Sequence, residues 1–201
     1  MGNVLSRSEP FKVLLVGPLG TGKSSIMYCL KHGALEGPIG STLGFNTETI
    51  EHRFEQRETV KMTLWDSSDR NVQMRSTWPR VLYPGAQGVI FVVDAADCLA
   101  DPAQLVEAEG LLEFMMQDEA IRGLPLLLLA NKSDLLPPGE AITAASKLVA
   151  AVPALDRHSV ESRSCSAIDG MYSVSQGLTW LAKQMRTMPS VAQHTSQSKF
   201  R

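Results

Sequence analysis

The chain of 201 residues is 44% hydrophobic and carries 19 Lys plus Arg against 21 Asp plus Glu, a formal charge of −2 at pH 7. That length suits a single well-packed domain, and the near-balance of charge, with no dense Lys/Arg cluster, excludes a nucleic-acid partner held through phosphate-backbone contacts. Three scattered cysteines, Cys29, Cys98 and Cys165, form no C-x-x-C pair, which excludes a disulfide framework and a cysteine zinc site and fits a reducing, cytoplasmic setting.

The chain opens MGNVLS, the pattern that accepts a myristoyl group on Gly2 once Met1 is removed. With only Arg7 and Lys12 nearby and no neighbouring cysteine, one acyl chain gives reversible membrane attachment. Residues 1–10 are therefore expected to be a lipidated leader, 11–187 one domain, and 188–201, dominated by Ser, Gln, His and Thr, a disordered tail. The apolar run over 11–16 predicts a strand. It feeds GPLGTGKS, residues 17–24, which matches G-x-x-x-x-G-K-[ST] at every fixed position. Gly17, Pro18, Leu19, Gly20, Thr21 and Gly22 form a loop whose glycines let backbone N–H groups turn toward phosphates. Lys23 reaches the β/γ oxygens, Ser24 offers its hydroxyl to Mg²⁺, and Ser25 lies beside them. A helix over 23–31 adds the positive end of its dipole.

Downstream, the patterning predicts a hairpin of 47–54 with 60–65, a strand over 89–94, a helix over 103–117 and a strand over 124–131. A helix over 140–151, a strand over 160–164 and a helix over 173–185 complete the alternation of an α/β doubly wound sheet. Leu105, Leu112 and Met116, then Val174, Leu178, Leu181 and Met185, recur at helical spacing and read as core. The longest apolar runs, 89–93 and 124–130, fall far short of the ~20 residues a bilayer requires. Ligands of such sheets sit beyond the carboxyl ends of the strands. There Asp66 closes KMTLWD and is placed to hold Mg²⁺ through water, and Thr42 is a candidate second hydroxyl ligand. Each also has a plain structural reading, as a turn former and as a loop cap. Asn131-Lys132-Ser133-Asp134 follows the LPLLLLA run. Asp134 can accept hydrogen bonds from guanine's ring N–H and exocyclic amino group, which adenine lacks; the Lys132 stem can lie along the base, and Asn131 can tie this loop to the phosphate loop. Such a string also occurs as a surface turn, but the phosphate loop upstream favours GTP as the ligand.

From MGN through Trp180 the chain resembles the ADP-ribosylation factor and Arf-like branch of the Ras-type small GTPases. The strings that carry the resemblance are GPLGTGKS, NKSD, STLGFNTETIE at 41–51, Trp65-Asp66, RSTW at 75–78, QGVIFVVDAAD at 87–97, and CSA followed by GLTWL near the end. The resemblance implies a P-loop small-GTPase fold with a mostly parallel six-stranded sheet and two switch segments ordered by GTP. It implies effector binding around Phe45 and Trp65, an exchange factor and an activating protein as partners, and the Ser166-Ala167 backbone meeting the guanine carbonyl oxygen. It also implies a cytoplasmic protein peripheral on intracellular membranes, such as Golgi or endosomes.

The family's W-D-x-G-G-Q is replaced by Trp65-Asp66-Ser67-Ser68-Asp69-Arg70. Asp69 matches the glycine whose N–H contacts the γ-phosphate, and Arg70 matches the glutamine that orients the attacking water, so slow GTP hydrolysis is expected. A carboxylate about 5 Å from the γ-phosphate at an effective dielectric near 20 is repelled by roughly 3 kcal/mol per phosphate charge. Either Asp69 turns to solvent or the switch closes differently. Arg70 is either a cis-acting arginine finger, hence a candidate catalytic residue, or a solvated surface group. The hairpin around 55–58 is expected to be longer than usual for the family, Pro79 to interrupt the second-switch region, and the leader to be too short for a long amphipathic helix. The resulting expectation is a guanine-nucleotide switch using GTP/GDP and Mg²⁺ with weak intrinsic catalysis. The alternative is a non-cycling, nucleotide-bound interaction module; a P-loop kinase or ATPase is disfavoured by the NKSD box.

Overall fold

A computed structural model of the chain describes residues 9–35, 37, 39–40, 44–54, 58–67 and 76–188. Gly2, Thr42, Asp69 and Arg70 lie outside the described residues, as do the hairpin tip at 55–57 and the C-terminal stretch from 189. The elements in chain order are β1 Phe11–Val16, α1 Lys23–His32, β2 Phe45–Phe54, β3 Glu58–Ser67, the short α2 Trp78–Val81, β4 Gly88–Asp94 and α3 Ala95–Ala100. They continue with α4 Pro102–Met116, β5 Leu126–Asn131, α5 Ala141–Ala151, β6 Val160–Ser164 and α6 Tyr172–Thr187.

Six strands form one sheet in the order β2-β3-β1-β4-β5-β6. Only β2 runs antiparallel, against β3; β3, β1, β4, β5 and β6 pair in parallel. Central parallel strands are covered on both faces, which is why GVIFVVD and LLLLAN are apolar nearly throughout and every residue in them is buried. Leu14, Val16, Phe91 and Leu128 point to the face covered by α4 and α5, against Leu111, Met115 and Leu148. Val13, Leu15, Val92 and Leu129 point to the other, against Ile26 of α1 and Leu178 and Leu181 of α6. Each such side chain contributes about 1.5–3 kcal/mol of burial. α6 seats closely on the sheet at Gly177, where an added Cβ would lie 2.7 Å from Leu127 Cδ1 and displace that side chain.

Most predicted elements appear within two residues of their expected ends, and three differences have local causes. The short α2 was not expected; Pro79 occupies its first turn, where the missing N–H is no loss, while residues 68–75 of the second-switch region that Pro79 was expected to interrupt lie outside the described residues. The strand expected from residue 124 begins at Leu126, because the Leu124 N–H closes a turn onto Ile121 O at 3.1 Å. The sequence reading also missed α3, whose six residues are too few to show a helical period; its start is written in Asp94, whose carboxylate accepts from Ala96 N at 3.1 Å and Asp97 N at 3.2 Å. Five parallel strands thus end at one edge, and the loops leaving that edge carry the candidate site.

Candidate functional site

The phosphate loop leaves β1 between its two parallel neighbours. Gly17 has φ 143°, and a Cβ there would sit 2.0 Å from Val92 O on β4, so the loop can start this close to the sheet only as glycine. Lys23 opens α1, is buried, and donates from Nζ to the loop's own carbonyls, Gly17 O at 2.8 Å and Pro18 O at 2.6 Å. Pro18 O also accepts from Thr21 Oγ1 at 3.1 Å. Leu19 and Gly20 form the exposed crest.

Ser24 Oγ donates to Asp66 Oδ2 at 2.6 Å, bringing together two of the three residues expected to serve Mg²⁺. Asp66 is fully buried on β3, beside β1. A cavity of about 210 Å³ opens next to the pair, lined among others by Gly20, Lys23, Ser25, Ile39 and Ser67. A hydroxyl and a carboxylate are hard oxygen donors of the kind Mg²⁺ takes, so the donor set fits that ion, with Ser24 and Asp66 as the residues that would hold it.

The base-side corner lies two strands away. Asn131 ends β5 with 1% exposure and spans two loops: Nδ2 donates to Thr21 O at 2.8 Å, and Oδ1 accepts from Ala167 N at 3.2 Å. The Ala167 N–H is thereby engaged, so a base oxygen meeting this loop would share it. Ser166 is buried, and its Oγ accepts from Ile168 N and Asp169 N, each at 3.1 Å. Lys132 ion-pairs through Nζ with Asp94, and Asp134 stands exposed on a single 3-10 turn over Ser133–Leu135. The sequence reading did not single out Asp94; the D-x-x-D pattern of Asp94 and Asp97 after an apolar strand, a helix-start signature, was the available signal.

Phe45 and Trp65 share one face of the β2–β3 hairpin, where Trp65 is opposite Thr47 and Phe45 opposite Ser67. Both are half-buried against the core, and Lys12 Nζ lies 3.9 Å from the Trp65 ring centre. All three cysteines are buried, and burial holds their thiols protonated: Cys165 is pushed up to about 12 and Cys98 to about 11, and Cys29 is raised as well. Among the described residues no group of three or more His, Cys, Asp and Glu is placed to hold a metal, and no helix is long and apolar enough to cross a membrane.

A phosphate loop after the central strand and a base-side loop tied to it by one buried amide make this the fold of the P-loop small GTPases. Within that class the chain belongs to the ADP-ribosylation factor family, whose model matches residues 1–185, and it is a guanine-nucleotide-binding switch of that type. It is similar to the Arl6 (BBS3) small GTPase of Trypanosoma brucei, solved with the bound nucleotide analogue GppNp: TM-score 0.70, 25% identity, covering 89% of this chain and 98% of that one.

Proposed function

We propose that this protein is an Arf-like switch that exchanges GDP for GTP with Mg²⁺ and, when GTP-bound, recruits effectors at intracellular membranes through Phe45, Trp65 and the switch segments. Gly17 to Ser25 take the phosphates, Ser24, Thr42 and Asp66 serve Mg²⁺, Asn131, Lys132 and Asp134 take the base, and Ser166-Ala167 closes over it. By the family match, Asp69 takes the place of the glycine whose N–H meets the γ-phosphate. The observation that carries the reading is Asn131, whose single amide joins the phosphate loop to the Cys165–Ala167 loop. Bound Mg²⁺ would supply charge neutralisation at the phosphates. The protein's own residues wrap, orient and select the nucleotide. Myristoyl-Gly2 gives reversible membrane attachment in the cytoplasm, at Golgi or endosomal surfaces, and an exchange factor and an activating protein regulate the cycle.

The test is the nucleotide released from purified protein, identified by mass spectrometry and followed by competition titration. GDP or GTP with strong preference over adenine nucleotides supports the reading; equal affinity for GTP and ATP overturns it. A Gly2→Ala variant as membrane-associated as the parent on cell fractionation would reject the anchor.

A second reading, a nucleotide-bound interaction module that does not cycle, is favoured by Ser68-Asp69-Arg70 standing where the family has G-G-Q. Single-turnover hydrolysis separates the two. Slow hydrolysis that rises when Ser68→Gly, Asp69→Gly and Arg70→Gln are combined fits a weak switch. Rapid hydrolysis that Arg70→Ala abolishes makes Arg70 a finger in cis, and no hydrolysis in either form supports the module.

A further inference from the structure

Lys132 has φ 60° and is the one non-glycine among the described residues with positive φ, a conformation that side chains adopt only where the surroundings hold them. It is also the hinge of the base-side loop. The left-handed turn at Lys132 sends the next N–H, that of Ser133, to Cys165 O at 3.0 Å, and starts the 3-10 turn that carries Asp134. The anchor for that hinge comes from the neighbouring strand. Asp94 is the last residue of β4, aligned with Asn131 at the end of β5. Its carboxylate is 7% exposed; Oδ1 caps α3, and Oδ2 takes the Lys132 ammonium. One buried carboxylate therefore fixes both a helix start and the residue on which the base-side loop turns.

We infer that Asp94 is a positioning residue for base recognition: by holding Lys132 it fixes the hinge that presents Asp134, and so sets how tightly and how selectively the guanine ring is retained. The inference rests on the base-site reading of Asn131 to Asp134. A purely structural role is the competing explanation, and helix-capping chemistry separates them. Asn and Ser cap helices about as well as Asp, so Asp94→Asn and Asp94→Ser keep α3 capped while removing the charge that holds Lys132.

The experiment is stopped-flow release of fluorescently labelled GDP and inosine diphosphate from the full chain, for the parent, Asp94→Asn, Asp94→Ser, Lys132→Ala and Asp94→Asn with Lys132→Ala. Inosine lacks the exocyclic amino group, so the ratio of the two release rates reads the contact with Asp134. The expected result is GDP release about tenfold faster in either Asp94 variant, with the parent's preference for GDP over inosine diphosphate reduced. In the Lys132→Ala background Asp94→Asn should add nothing further. Equal acceleration of both nucleotides, no acceleration, or an Asp94→Asn effect undiminished by Lys132→Ala overturns the inference. Asp94→Ser carries the test should Asp94→Asn fold poorly. A parent that releases the two nucleotides alike overturns the base-site reading itself, and the role of Asp94 with it.

Discussion

The base-side and phosphate-side corners of the cleft share one edge of the sheet, but side chains hold the first together while backbone shapes the second. On the base side the Asn131 side chain bonds to Thr21 O and Ala167 N and the Lys132 side chain to Asp94, with one backbone bond, Ser133 N to Cys165 O, beside them. On the phosphate side the shape comes from Gly17, Gly20 and Gly22, all at positive φ, while the Lys23 ammonium rests on two carbonyls of its own loop. The difference is one of preorganisation. A base is read by a few directional side-chain bonds, which must be in place beforehand. A phosphate is gathered by N–H groups and a cation, here the Lys23 ammonium that rests on carbonyls of its own loop.

The largest expected effect breaks the phosphate side through its backbone. Gly17→Ala places a methyl 2.0 Å from Val92 O at φ 143° and should cost about 3 kcal/mol or more in chemical denaturation, taking nucleotide binding with it. A fully stable Gly17→Ala protein would mean that the β1–β4 approach is looser than described.

Lys23→Ala tests the cation. It should weaken triphosphate binding by roughly 1.5–3 kcal/mol per charge-assisted bond lost, measured by isothermal titration, and weaken diphosphate binding less. Unchanged GTP affinity would leave the ammonium a mere brace of its own loop.

Asp134→Asn addresses the base side alone. Guanine affinity should drop by roughly 1.5–3 kcal/mol with ATP affinity unmoved; a matching drop for ATP in the same competition assay would assign Asp134 a structural role. Gly22→Ala sharpens the comparison by striking the joint between the corners, because its Cβ would lie 2.3 Å from Asn131 Nδ2. A stability loss of about 1–3 kcal/mol is expected, strongly non-additive with Asn131→Ala in denaturation.

The smallest effect lies outside both corners. His52 on β2 is buried and bonds through Nε2 to Thr179 Oγ1 of α6 at 2.9 Å. The Thr179 hydroxyl donates to Ser175 O, so at His52 it accepts, from Nε2–H. Burial lowers the His52 pKa below its ordinary 6.5. The unfolded chain therefore takes up the proton first: the His52 contribution to stability is complete above pH 6.5 and falls as the pH drops through that value toward the folded pKa. His52→Gln should flatten this acid-side slope in denaturation midpoints measured across pH; an unchanged slope would place its origin elsewhere.

The corners also differ in how far they can be read from the chain. The phosphate loop is local: three glycines, a lysine and a serine within eight residues, after an apolar strand. Asn131 to Asp134 is likewise contiguous. Asp94 escaped notice because its partner Lys132 is distant in sequence and because α3 is too short to show a period. The Asn131 bond to Thr21 O spans 110 residues, and no pattern within either loop specifies its geometry. Pro79 sits in the first turn of α2, the one place in a helix where a residue without an N–H is tolerated.

By itself the sequence determined the order and type of the strands and longer helices, the phosphate-loop and Asn-Lys-x-Asp strings and the family resemblance, because propensity, hydrophobic period and turn chemistry act over a few residues. Tertiary structure alone decided that β1 lies between β3 and β4, with β5 beyond, and so which strand ends share an edge. That ordering comes from burying both sheet faces at once. It sets Ser24 against Asp66, Asn131 across two loops and Asp94 under Lys132, pairings that exist only once distant segments have packed.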